Sequence, residues 1–153
     1  MPALVPCSCL FFQRPISRAK PCPLPAPGLP CPTVFACQDR LQPILGRSGV
    51  PPFLFASTGI GAMESGIINV AGPGQRVLIA TNGQWGPVFR RLAEGIGAEV
   101  DEVVSGLGDP VDLDGVRRAL GEKSYAAVVT VHSESSTGAL TDLKALGEIV
   151  AET

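Results

Sequence analysis

Three short stretches of this chain carry residue types that could hold an anionic, ring-bearing ligand. The first, Ser57-Thr58-Gly59-Ile60-Gly61, stands between an apolar triplet, Phe53-Leu54-Phe55, and an amphipathic stretch. Glycines let the backbone come close to a ligand, and open amides at a helix N-terminus favour an anion. Thr58 adds a hydroxyl. The spacing is neither G-x-x-x-x-G-K nor G-x-G-x-x-G, so it supports neither a nucleotide P-loop nor a dinucleotide fingerprint. Taken alone, such a turn is more often only a turn. The second stretch, Asn82-Gly83-Gln84-Trp85-Gly86, holds the single tryptophan, a residue type whose usual business is packing. The third, His132-Ser133-Glu134-Ser135-Ser136-Thr137-Gly138, is a polar loop after an apolar run. Ligands sit at such loops in open α/β sheets, though Ser/Thr turn chemistry leading to a helix reads equally well there.

The elements that must position these stretches alternate in type. Phe53–Phe55 is a short strand candidate, and Gly61 to Val70 reads as a helix with Met63, Ile67 and Val70 on one face, ended by Gly72-Pro73-Gly74. Arg76 to Ala80 has a buried-strand pattern, Val88 to Ile96 is a helix closed by Gly97, and Ala98 to Val104 alternates like a strand. Asp112 can cap a helix running to Leu120, with Gly121 as its stop. Tyr125 to Val131 is a near-continuous apolar run, suited to a parallel strand covered on both faces. Thr141 or Asp142 starts a last helix, expected to be cut short at Thr153. The alternation implies an α/β fold with a mostly parallel sheet.

Composition divides the chain near Pro51-Pro52. Residues 1–52 hold all 5 cysteines (Cys7, Cys9, Cys22, Cys31, Cys37), most of the 15 prolines, and Arg14, Arg18, Lys20, Arg40 and Arg47 against Asp39 alone. Residues 53–153 are acidic, and the whole chain carries a formal net charge of −2. That small charge gives no reason to propose nucleic acid as a partner. No apolar run reaches the length of a membrane span, and Cys7 to Phe12 is too short and broken to serve as a span or a secretory signal. The odd cysteine count, with no C-x-x-C and a single distant His132, fits neither a disulfide framework nor a metal site. Residues 1–50 are therefore read as a disordered Pro/Cys-rich leader or as a gene-model artefact, with residues 1–47 expected to make few contacts with the sheet.

In this order and spacing, the three stretches together with Ala62-Met63-Glu64 resemble the cofactor half of a class V aminotransferase. This is the pyridoxal-phosphate enzyme family of the alanine–glyoxylate, serine–pyruvate and serine–glyoxylate type. The resemblance covers about residues 50–153. Cysteine desulfurases share the fold, but their segments differ from Trp85 and from the Glu134–Gly138 run. The resemblance implies an incomplete three-layer, mostly parallel sheet of the fold-type I large domain over residues 51–153. It implies pyridoxal 5′-phosphate as cofactor, with Thr58, Gly59 and Ile60 at the phosphate (Ile60 through its amide), the Trp85 ring stacked on the pyridine, and the Ser135 hydroxyl near the phenolic oxygen. His132 and Glu134 would shape the loop. The family often has an arginine shortly after the glycine matching Gly86, where this chain has Pro87 and Val88.

The family also implies a lysine that carries the cofactor as a Schiff base and an aspartate paired with the pyridinium nitrogen, both after the segment matching Thr141–Thr153. Lys20, Lys123 and Lys144 do not sit in the matching context. No catalytic residue is therefore assigned, and no metal. The expected activity is amino transfer from alanine or serine to glyoxylate or pyruvate, in glyoxylate metabolism, by a homodimer, with this fragment inactive alone. The alternative is a catalytically dead binding or interaction protein of the same fold. A peroxisomal location comes first by resemblance, with mitochondrion and cytosol as the other options. No membrane partner is expected.

Overall fold

A computed structural model describes residues 3–7, 32–46, 51–54 and 56–153, with only the backbone described at 3–7. Within these, Ala3–Cys7 and Thr58–Thr153 form one compact unit, while 32–46, 51–54 and 56–57 belong to a second. The second unit contains helix α1 (Pro32–Leu41), and there the Gln38 side-chain amide donates to the Pro52 carbonyl at 2.8 Å. Cys37 on this helix is exposed and free.

The first unit is built on a parallel sheet of β1 (Ala3–Cys7), β2 (Arg76–Thr81), β3 (Glu99–Val104) and β4 (Ala127–Val131), in the order β1-β4-β2-β3. Register runs Val77 to Ala127 and Ala80 to Thr130 on one side of β2, and Arg76 to Glu99 and Thr81 to Val104 on the other. Strand alternation then sorts the core into two layers. Val77, Ile79, Val129 and Val131 pack against Met63 and Ile67 of α2 (Gly59–Ile68) and Phe89 and Ala93 of α3 (Gly86–Gly95). Leu78, Ala80 and Val128 pack on the opposite face against Val116 and Leu120 of α4 (Leu113–Glu122) and Leu146 and Ile149 of α5 (Leu143–Ala151). Both central strands are covered on both sides, which is why Tyr125 to Val131 reads as a near-continuous apolar run.

Helix ends follow local chemistry. Thr58 Oγ1 accepts from the Gly61 amide, Asp112 Oδ1 from Gly115, and Asp142 Oδ1 from Lys144 and Ala145, so each is a side-chain cap. Helix α3 closes in a Schellman turn: the Gly97 amide donates to Glu94 O, the Ala98 amide donates to Ala93 O, and Gly97 sits at φ +79°.

Several sequence expectations need correction. Ala3–Cys7 does pair with the sheet, parallel to β4, although residues 1–47 were expected to make few contacts with it. Pro6 is tolerated because β1 is an edge strand, where a missing donor breaks no central ladder. The remaining leader expectations for 8–31 and 47–50, including Cys9, Cys22 and Cys31, lie outside the described residues. Phe53 and Leu54 are exposed, irregular chain rather than strand, following two prolines that lack ladder donors, and Phe55 lies outside the described residues. Gly121 does not stop α4, which continues to Glu122. Helix α5 ends at Ala151, with the Glu152 amide closing on Glu148 O and Ile149 O. The loop after β4 contains a hairpin, β5 (Ser133–Glu134) antiparallel to β6 (Ala139–Leu140). Among the described residues, no helix is long and apolar enough to cross a membrane.

Candidate functional site

Strands β2 and β4 are neighbours and parallel, so the loops leaving their carboxyl ends start side by side. Trp85 is the N-cap residue of α3, four residues beyond the end of β2, and Ser135 follows β5 just beyond β4. The indole Nε1–H of Trp85 donates to Ser135 Oγ at 2.9 Å. Two stretches some fifty positions apart therefore meet directly, and a flat aromatic face stands beside a hydroxyl at the carboxyl edge.

A second set of bonds holds these loops together from below. Glu134 is fully buried, and its Oε2 accepts from the Trp85 amide at 3.3 Å. Its Oε1 accepts from the Ser136 amide at 2.9 Å and from the Ser136 hydroxyl at 2.6 Å. The Gln84 amide reaches Ser136 Oγ at 3.4 Å. A Cβ at Gly83 would overlap the Glu134 side chain, and one at Gly86 would overlap Thr81, so both glycines in this stretch are required by close approach. Asn82 extends the network to a third loop. Its side-chain amide donates to Asp109 O at 2.7 Å, and its backbone carbonyl accepts from the Gly108 amide at 3.0 Å. His132 acts through its backbone, accepting from the Thr141 amide at 2.8 Å, while Thr141 Oγ1 donates to Val131 O at 2.7 Å and closes the hairpin base.

Thr58, Gly59 and Ile60 form the exposed start of α2. This helix precedes β2 in the chain. The Thr58 hydroxyl satisfies the Gly61 amide, which leaves the Gly59 and Ile60 amides at the positive end of the helix dipole. The bonds of Thr58 are local, to Gly61 and Ala62, and do not reach the Trp85–Ser135 pair.

The sequence pointed to Trp85 and Ser135 but missed how much Glu134, Asn82 and Gly83 do. The signal for Gly83 was available, since Asn-Gly in a loop after a strand often marks a tight approach. For Glu134 the resemblance implies only a part in shaping its own loop, because its bond to Trp85, like that of Asn82 to Asp109, joins residues distant in sequence. Asn82 Oδ1 and Thr130 Oγ1 are buried without a hydrogen-bond partner among the described residues.

No family model matches the chain. The soluble hydrogenase 42 kDa subunit of Anabaena cylindrica is 36% identical over 98 residues, 62% of this chain and 26% of that protein. The alanine–glyoxylate aminotransferase of Rattus norvegicus is 36% identical over 88 residues, 58% of this chain and 21% of its own. A crystal structure of alanine–glyoxylate aminotransferase from Nostoc sp. superposes with a TM-score of 0.69 at 31% identity, covering 78% of this chain and 32% of that one. The likeness is to class V aminotransferases, in sequence and in fold. The chain spans about a quarter of the length of these curated relatives. The parallel sheet with helices on both faces is the architecture expected of class V aminotransferases.

The residues fit the pyridoxal phosphate that the class V likeness implies. A phosphate needs open amides without a competing carboxylate, which the start of α2 offers. A pyridine ring needs a fixed flat face, and the Trp85 indole is anchored by its own N–H and by its backbone amide. The Ser135 hydroxyl accepts from the indole and keeps its own proton to donate.

Proposed function

We propose that this chain forms the cofactor-holding part of a pyridoxal-phosphate-dependent aminotransferase that moves an amino group from alanine or serine to glyoxylate or pyruvate. One observation carries the reading: the 2.9 Å bond from Trp85 to Ser135, which joins two of the motifs on which the likeness rests. In this proposal the amides of Gly59 and Ile60, with Thr58, hold the phosphate. The Trp85 ring sets the plane of the bound group and keeps water from one face. The Ser135 hydroxyl donates to an oxygen on its edge. When bound, pyridoxal phosphate supplies the electron sink that amino-group transfer requires.

The same proposal includes inactivity of residues 1–153 alone. Lys123 lies at the amino edge, ion-paired to Asp101 at 2.9 Å, and Lys144 stands exposed at the start of α5 on the other face from α3. Neither offers a nucleophilic amine beside Trp85. A second reading, a protein of this fold that binds without turnover, uses the same residues and differs only in what a longer chain would do. The homodimer, and a peroxisomal location ahead of mitochondrion or cytosol, belong to the proposal on the strength of the likeness alone.

The test is a titration of residues 1–153 with pyridoxal phosphate, followed by the emission of the single tryptophan, alongside an alanine–glyoxylate assay. Saturable quenching without turnover is expected. Absence of quenching overturns the cofactor reading, and turnover overturns the inactivity.

A further inference from the structure

We infer that Glu134 is a positioning residue for the Trp85–Ser135 pair, acting through backbone amides and not through the ligand; its link to cofactor binding rests on the function proposed above. A fully buried carboxylate is retained only where donors surround it, because taking it out of water is costly. Here the donors come from both sides of the site. Oε2 takes the Trp85 amide, and Oε1 takes the amide and hydroxyl of Ser136. One side chain thus bridges the residue that carries the indole and the residue next to Ser135. Its backbone adds to this, because the amides of Thr137 and Gly138 donate to Glu134 O at 3.2 and 2.7 Å and shape the turn after Ser136.

The geometry leaves little tolerance. The side chain passes directly beside Gly83, where even a methyl group would collide with it. A carboxylate only accepts, and both of its oxygens are in use. A carboxamide at this position must turn an NH2 group toward either the Trp85 amide or Ser136, setting donor against donor. An aspartate keeps the charge but is one methylene shorter, so it cannot span both sides. An apolar residue would strand the buried donors. Packing volume is not the requirement; two acceptor oxygens at this reach are.

The experiment separates positioning from mere stability and from the cofactor reading. Glu134→Gln, Glu134→Asp, Gly83→Ala and Ser136→Ala are compared with Val116→Ala, a cut in the core on the opposite face of the sheet. Acrylamide quenching and near-ultraviolet ellipticity of Trp85 are read first without ligand, well below each melting temperature, and pyridoxal phosphate affinity second. Positioning predicts greater quencher access and lost ellipticity in Glu134→Gln and Gly83→Ala, and a smaller change in Ser136→Ala. Pyridoxal phosphate should bind roughly tenfold more weakly to Glu134→Gln, the scale of one charge-assisted bond. Val116→Ala should melt earlier with both signals unchanged. Folded Glu134→Gln with wild-type quencher access and ellipticity overturns the inference. If Glu134→Gln does not fold, Gly83→Ala and Ser136→Ala decide it by the same ligand-free signals. If no form binds pyridoxal phosphate, the proposed function fails, while the ligand-free comparison still decides the role of Glu134.

Discussion

Trp85 and Ser135 are joined through the indole N–H at 2.9 Å, from the end of one parallel strand to the loop beyond its neighbour. Removing the acceptor should release the ring without unfolding the chain. Ser135→Ala is expected to shift the Trp85 emission and to cost about 1 kcal/mol or less, because the bond lies at the surface. Pyridoxal phosphate should bind several-fold more weakly. An unchanged emission spectrum would show that the bond does not hold the ring.

At Thr58 the cap and the proposed phosphate contact share one side chain. Thr58→Ala should lower stability by about 1 kcal/mol through the lost cap on Gly61, and Thr58→Ser should restore most of it. Thermal melts of the three forms check this. Phosphate competition against pyridoxal phosphate then reports whether the hydroxyl also meets the ligand.

Gly121 lies inside α4 with nothing within 4 Å of a Cβ built there. Gly121→Ala should therefore stabilise the chain, by about 0.5–1 kcal/mol, by restricting the unfolded backbone and adding helix propensity. A glycine acting as a left-handed stop would give the opposite sign in a denaturant melt.

A polar cluster at the amino edge contributes to the pH dependence of the fold. Burial, and then the hydrogen bond it donates to Asp101 at 2.9 Å, push Tyr125 up to about 12. Its contribution is thus complete below the ordinary tyrosine value near pH 10 and is lost as pH rises from there through about 12. Asp101 is held below its usual value chiefly by its hydrogen bond with Lys123, and by Tyr125, so its contribution is present above the ordinary carboxylate range and is lost as pH falls through its lowered value. Melting temperatures across pH, for the wild type and Tyr125→Phe, check both limbs. The alkaline limb should flatten in the variant, and the acid limb should shrink only by the part that Tyr125 supplies to Asp101, Lys123 keeping the larger share.

Much of this fold was legible because the signals were local. The caps at Asp112 and Asp142 lie within three residues of the amides they satisfy, and β4 announced itself as an apolar run. What escaped detection depends on distant partners. Ala3–Cys7 is a strand only because β4 offers it an edge, and no periodicity around Pro6 signals that. The β5–β6 hairpin has two residues on each side, too few for alternation to register. In the site, Trp85 and Ser135 stood out by residue type and resemblance. Glu134 was expected only to shape its own loop, and Asn82 looks like an ordinary polar loop residue, until Trp85 and Asp109 are brought beside them.

The chain has 1 Trp and 1 Tyr, and the sheet sets them at opposite ends. Trp85 follows the last residue of β2, whereas Tyr125 precedes the first residue of β4. Each ring is thus an optical label for one rim of the same sheet. If the first unit melts as a single cooperative body, the two rings must report the same midpoint. A tryptophan transition that runs ahead of the tyrosine one would mean that the loops bearing Trp85 and Ser135 loosen while the strands beneath remain paired.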